Sequence, residues 1–152
     1  MEQATFRELI VRNVDAKDAE DAIRQVGQRF LDAGFVKDTY IDAVAAREAV
    51  YPTGLQLAEI AVAMPHTDPQ HVNRPGVCIA QLAHPVTFAH MGEPEVKVEA
   101  EMLFMMAIQN PDEQVELLQK VLSVFQQPEV VAAFRAADSE EKLFEAAQKY
   151  IG

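Results

Sequence analysis

Serine is almost missing from this chain. Its two occurrences, Ser123 and Ser139, fall inside a helical pattern and at a helix start. With no Gly-x-Ser-x-Gly segment either, the nucleophile elbow of a serine hydrolase is absent. The six glycines stand apart at positions 27, 34, 54, 76, 92 and 152, so neither a glycine-rich phosphate loop nor a dinucleotide fingerprint is present. Cysteine occurs once, at Cys78, which excludes an internal disulfide and any Cys-x-x-Cys motif. Its apolar strand pattern marks it as a small buried core residue rather than a reactive thiol. No apolar run approaches the ~18 residues of a membrane span. Met1 to Arg12 alternates charged and apolar residues without the apolar core of a signal peptide. The expectation is a cytoplasmic protein with no direct membrane insertion. Positive charge is scarce: 13 Lys and Arg face 24 Asp and Glu, for a net charge of −11. Such a surface repels nucleic acid and anionic lipid, and favours solubility and basic protein partners.

What is present describes an ordinary globular chain. Its 152 residues, 49% hydrophobic and 24% charged, suit one domain over 1–152 with a proper core. Met1 to Val14 reads as a short strand or an extended arm. A first helix is predicted from an Asp15 cap through Ala19, Ile23, Val26 and Phe30 to a stop at Gly34. Asp38 is expected to cap a second helix bearing Ile41, Val44, Ala45 and Arg47, ended by Pro52 and Gly54. Leu57 to Met64 reads as a buried strand stopped by Pro65. A polar loop or short helix, 68–76, leads to a strand at Val77–Leu82. His84-Pro85 is read as a turn, followed by a short strand at 86–88. Beyond the Gly92-Glu93-Pro94 turn, Val96–Ile108 has a long strand pattern. A helix capped by Asn110 or Asp112 follows, with Val115, Leu118, Val121, Leu122 and Phe125 as its inner stripe. Pro128 opens a short helix carrying Val131 and Phe134. Asp138 to Glu141 opens the last helix, with Leu143, Phe144, Ala147 and Ile151 on one side. Helices first, strands central and helices last predict an α/β sandwich. Its mixed central sheet has about five strands and is flanked by about five helices.

Chemistry falls to the histidines. His84 and His90 lie beside turns and His71 in a polar loop, where an exposed imidazole needs no special explanation. No His pair on a helix and no Cys/His cluster has metal-ligand spacing, so no metal is expected. His66 differs, because it directly follows Ile60-Ala61-Val62-Ala63-Met64-Pro65. A rigid strand end holds a side chain steady. Pattern alone leaves two readings level: an imidazole tied to backbone for structure, or a nucleophile with one nitrogen fixed as N–H. The following turn and helix start would offer N–H groups to an anion, of which phosphate is the natural choice. Arg47 is the candidate partner, since its fixed donors match phosphate oxygens. On pattern alone it reads first as a solvated or capping arginine.

The segments Arg47-Glu48-Ala49, Pro52-Thr53-Gly54 and Ile60 to His66 together resemble the enzyme IIA domain of the fructose–mannitol class. That class belongs to the bacterial phosphoenolpyruvate-dependent sugar phosphotransferase system. The similarity covers nearly the whole chain, including Pro75-Gly76, Gly92-Glu93-Pro94 and the helix from Gln114. Within the class, Gly34 to Tyr40, Arg47 to Gly54 and Asn110-Pro111 look most like the galactitol-type component. The resemblance implies a phosphocarrier without bound cofactor. His66 would accept a phosphoryl group from phosphorylated HPr and pass it to a cysteine of enzyme IIB, while a membrane IIC subunit moves the sugar. Arg47 matches the arginine that stabilises the phosphoryl oxygens. Two positions depart from the wider class: Thr67 stands where many members have glycine, and Gln114 where a second active-site histidine is common. A glutamine donates a hydrogen bond but carries no charge and shuttles no proton. The galactitol-like subgroup also shows glutamine there, so transfer is expected to survive. Other readings are a nitrogen-type regulator phosphorylated at the same histidine, and a metal-dependent hydrolase using His66, Asp68 and His71.

Overall fold

The computed structural model describes residues 3–152. Met1 and Glu2, the start of the predicted N-terminal strand or arm, lie outside them. Five strands form one mixed sheet: β1 (Thr5–Val14), β2 (Gly54–Gln56), β3 (Ala61–Ala63), β4 (Gly76–Ala89) and β5 (Lys97–Ala107). Their spatial order is β1-β4-β5-β3-β2, with β1/β4 and β3/β5 parallel and β4/β5 and β2/β3 antiparallel. Five α-helices flank it: α1 (Ala19–Asp32), α2 (Tyr40–Val50), α3 (Pro111–Val124), α4 (Pro128–Ala136) and α5 (Glu140–Tyr150). The predicted mixed-sheet sandwich is the architecture found.

Strand periodicity sorts the core into two halves. Val77, Ile79, Met102, Phe104 and Met106 face α3, α4 and α5, where Phe104, Phe125 and Phe134 pack ring against ring. The intervening Cys78, Ala80, Leu103, Met105 and Ala107 face α1 and α2. Cys78 is fully buried, and burial pushes its thiol up to about 12, as expected for a core residue rather than a nucleophile.

Several boundaries differ from the sequence reading. The α1 cap is Asp18, whose Oδ1 accepts the Asp21 N–H at 2.8 Å, while Asp21 returns a carboxylate to the Lys17 N–H. Asp15 instead meets His84 Nε2 at 3.0 Å. Thr39, not Asp38, precedes α2, and its hydroxyl is engaged with His71 Nδ1 at 2.8 Å rather than capping the helix. The Leu57–Met64 strand is shorter than its apolar pattern, because Leu57 N–H closes a tight turn onto the Ile60 carbonyl. Gly54–Gln56 then folds back on β3 as an antiparallel partner. The predicted His84-Pro85 turn is a bulge inside the continuous β4. The ladder shifts register between Gln81 and Val86, where a proline without an N–H costs no pairing. The α3 stripe is broader than predicted: Val121 and Phe125 are buried and Leu118 and Leu122 pack against the core as expected, Leu117 and Val124 join them, and only Val115, 52% exposed, leaves it.

Candidate active site at the end of β3

Topology gathers distant stretches of chain at one end of the sheet. Because β3 and β5 are parallel, the residues after each strand emerge together, and Met106 N–H donates to the Pro65 carbonyl. His66 follows β3, and Gln114 lies in the first turn of α3, just beyond β5. Because β2 runs antiparallel to β3, Gly54 pairs with Ala63 and brings the C-terminal turn of α2 to the same end. Tyr40 pins the other end of α2, donating its hydroxyl to the Met106 carbonyl at 2.6 Å. Arg47, His66 and Gln114 thus line one pocket of about 260 Å³, together with Tyr51, Met91 and Pro94.

His66 is only 6% exposed. Its Nδ1 lies 2.9 Å from the Met64 carbonyl oxygen, which can only accept, so Nδ1 carries the hydrogen. The lone pair is therefore on Nε2, which is buried and has no hydrogen-bond partner among the described residues. Burial is the main cause holding the imidazole below its ordinary pKa. The Met64 bond opposes that, the Arg47 charge adds to it, and Asp68 opposes it again. The ring is neutral near pH 7 and nucleophilic at Nε2.

Arg47 Nε is likewise buried with no partner among the described residues. The guanidinium lies 5.3 Å from the Tyr51 ring centroid, and its Nη1 is 3.9 Å from Asp68 Oδ1. A buried unpaired N–H costs about 1–3 kcal/mol. Two residues lining the pocket thus carry an orphaned donor and an orphaned lone pair, groups suited to an electrophilic centre bearing oxygens.

Glu48 and Thr53 fix this geometry, and the sequence reading assigned neither a role. Glu48 accepts from the Thr53 N–H at 2.7 Å and from its hydroxyl at 2.8 Å, and Thr53 Oγ1 accepts the Met64 N–H at 3.1 Å. The carboxylate anchors Thr53, Thr53 anchors Met64, and the Met64 carbonyl sets the His66 ring. Burial raises the Glu48 pKa, against the two Thr53 bonds. A signal was available: a glutamate in the last turn of a helix opposes the macrodipole and needs a local reason.

The ligand set considered for a hydrolase is not assembled. His71 turns to Thr39, and among the described residues no group of three or more His, Cys, Asp or Glu is placed to hold a metal ion. Thr67 is buried beside His66. No helix among the described residues is long and apolar enough to cross a membrane.

A five-stranded mixed sheet flanked by five helices is the fold of mannitol-type IIA proteins. The crystal structure of IIA mannitol from Escherichia coli superposes with a TM-score of 0.76 at 24% identity, covering 93% of this chain and 96% of that one. The complex of enzyme IIAMTL and phosphorylated enzyme IIBMTL from the same organism gives 0.73 at 24% identity, covering 91% and 93%. The family profile "Phosphoenolpyruvate-dependent sugar phosphotransferase system, EIIA 2" matches residues 4–150. The chain belongs to that family. The galactitol-specific EIIA component of Escherichia coli K12 is 29% identical over 124 residues, covering 81% of this chain and 82% of that protein. The mannitol-specific enzyme IIA component of Geobacillus stearothermophilus is 30% identical over 140 residues, covering 90% of each.

Proposed function

We propose that the 152-residue chain acts as one cytoplasmic IIA unit of a sugar phosphotransferase system, carrying a phosphoryl group on His66 Nε2. The observation that supports this best is the pair of buried, unpartnered atoms, His66 Nε2 and Arg47 Nε, on two residues that line one pocket. In the first step Nε2 attacks the phosphorus of phosphorylated HPr. The new P–N bond forms as the old one breaks, and the bonding pair returns to the donor nitrogen. The His66 Nδ1 proton stays in place, held by the Met64 carbonyl, so the phosphorylated ring is cationic and a good leaving group. In the second step a cysteine thiolate of enzyme IIB attacks, an S–P bond forms, and the pair returns to Nε2. Neither step needs a metal or cofactor, because phosphoryl transfer between activated carriers depends mainly on alignment and on stabilising equatorial oxygen charge. Arg47 supplies the charge, and Gln114, in the same pocket, supplies a neutral donor.

Apolar side chains border the site. Val50 and Tyr51, 66% and 63% exposed, line the pocket with Met91 and Pro94. Such a rim lets HPr or IIB dock and exclude water during transfer. Likeness to the galactitol-specific relative supports uptake of a polyol or sugar of that type by a IIB and membrane IIC partner.

Labelled phosphoenolpyruvate, enzyme I and HPr should place one acid-labile phosphate on the wild-type protein and none on His66→Ala. Persistent labelling of His66→Ala would make the site assignment wrong. Rapid transfer to a purified galactitol-type IIB is expected. A labelled protein that passes nothing to IIB would instead act as a regulator through partner binding.

A further inference from the structure

Asp68 is oddly used. It occupies the N-cap position of the 3-10 turn Pro69–His71, where an aspartate ordinarily accepts a backbone N–H, yet its side chain makes no capping bond. Its carboxylate instead faces Arg47 Nη1 at 3.9 Å, a charge pairing too long for a hydrogen bond. Pro65 and Pro69 bracket the stretch, so the carboxylate is held two residues from His66 by a stiff backbone. The charged groups facing the imidazole are Arg47 from α2 and Asp68 from its own loop. Glu48 is occupied by Thr53.

Resting on the phosphocarrier reading above, we propose that Asp68 sets the phosphoryl-transfer potential of His66. The carboxylate competes with the phosphoryl group for Arg47 and repels its oxygens. Without Asp68, Arg47 would neutralise a phosphoryl group on Nε2 unopposed, and the group would be held too firmly to move on. With Asp68, the guanidinium keeps its orientation in the free protein, but part of its charge is already balanced. A carrier must accept from one partner and give to the next, so neither form can be strongly favoured.

The test is the equilibrium between phosphorylated HPr and this protein, read as the phosphorylated fraction of each, for wild type, Asp68→Asn and Asp68→Glu. Asp68→Asn should shift the equilibrium toward phosphorylated His66 by about three- to tenfold, the range expected for a half-exposed charge contact. Asp68→Glu, which keeps the charge, should stay within about twofold of wild type. The Asp68→Asn shift should shrink between low salt and 1 M salt, which a merely structural role would not produce. An unmoved equilibrium, a shift toward unphosphorylated protein, or a shift indifferent to salt would each overturn the proposal. Labelling of wild-type His66 in the same reaction separates the two failures. Without it the phosphocarrier reading falls as well; with it, only the role of Asp68 does.

Discussion

His66 combines two properties that usually oppose each other: it is buried, and it keeps a reactive lone pair. Burial comes from its place behind β3, and the free lone pair from the Met64 carbonyl, which accepts the Nδ1–H hydrogen bond and leaves Nε2 unprotonated. The pH dependence follows. The folded pKa is lowered, chiefly by burial, so the stability contributed by the neutral ring is fully present above the ordinary value of 6.5. That contribution is lost as pH falls through the lowered folded value. Titration followed by the NMR shifts of the ring should give a midpoint below 6.5, and His66→Gln should flatten the acid-side loss of stability. A midpoint above the ordinary value would contradict the burial argument. In the proposed transfer Arg47 would act on the moving group rather than on the fold, since its side chain is part-exposed and its ion pair with Asp68 is long. Arg47→Ala should slow phosphotransfer by more than about tenfold, the scale of losing one charged transition-state donor. Its urea midpoint should remain near wild type. A rate within twofold of wild type would remove Arg47 from the mechanism.

At the scale of elements, the β2–β3 hairpin carries the site, and it was only partly legible in the sequence. The apolar run to Met64 and the Pro-His stop announced a strand and a held histidine. That the run splits into a turn and a three-residue strand is not visible, because Leu57 and Ile60, buried on either side of the exposed Ala58-Glu59 tip, continue the apolar pattern of the strand. The long β4 was hidden for the opposite reason, since His84-Pro85 carries turn chemistry inside a bulge. Val115 was misplaced because its helix offers apolar residues on adjoining faces, and only the sheet decides which face is buried. Arg47, His66 and Gln114 were legible singly. Their meeting depends on strand order, which local pattern does not encode. Gly54 shows how tightly the hairpin is held: a Cβ there would lie 2.6 Å from the Ala89 carbonyl oxygen and 2.6 Å from Val98 Cγ2. Gly54→Ala should destabilise the protein by about 2–3 kcal/mol in urea denaturation, the upper range for overpacking. A loss under about 0.5 kcal/mol would mean the hairpin adapts more freely than its contacts suggest.

At the scale of the whole molecule, charge and apolar surface would divide the work of recognition in the proposed role. The net charge of −11 would steer a basic partner toward the protein, and the Val50 and Tyr51 rim would exclude water once it docks. Phosphotransfer from HPr at limiting protein should therefore slow as ionic strength rises from about 0.01 to 0.15 M, as the Debye length contracts from about 30 to 8 Å. A rate indifferent to salt would assign docking to the apolar rim alone. All of these rest on one proposed bond, from phosphorus to Nε2 of His66. Long-range proton–nitrogen correlation NMR on 15N-labelled protein, phosphorylated through enzyme I and HPr, tests it most directly. One phosphorylated imidazole is expected, His66, bonded at Nε2 with its hydrogen retained on Nδ1. Phosphate at Nδ1, or on His71, His84 or His90, would contradict it.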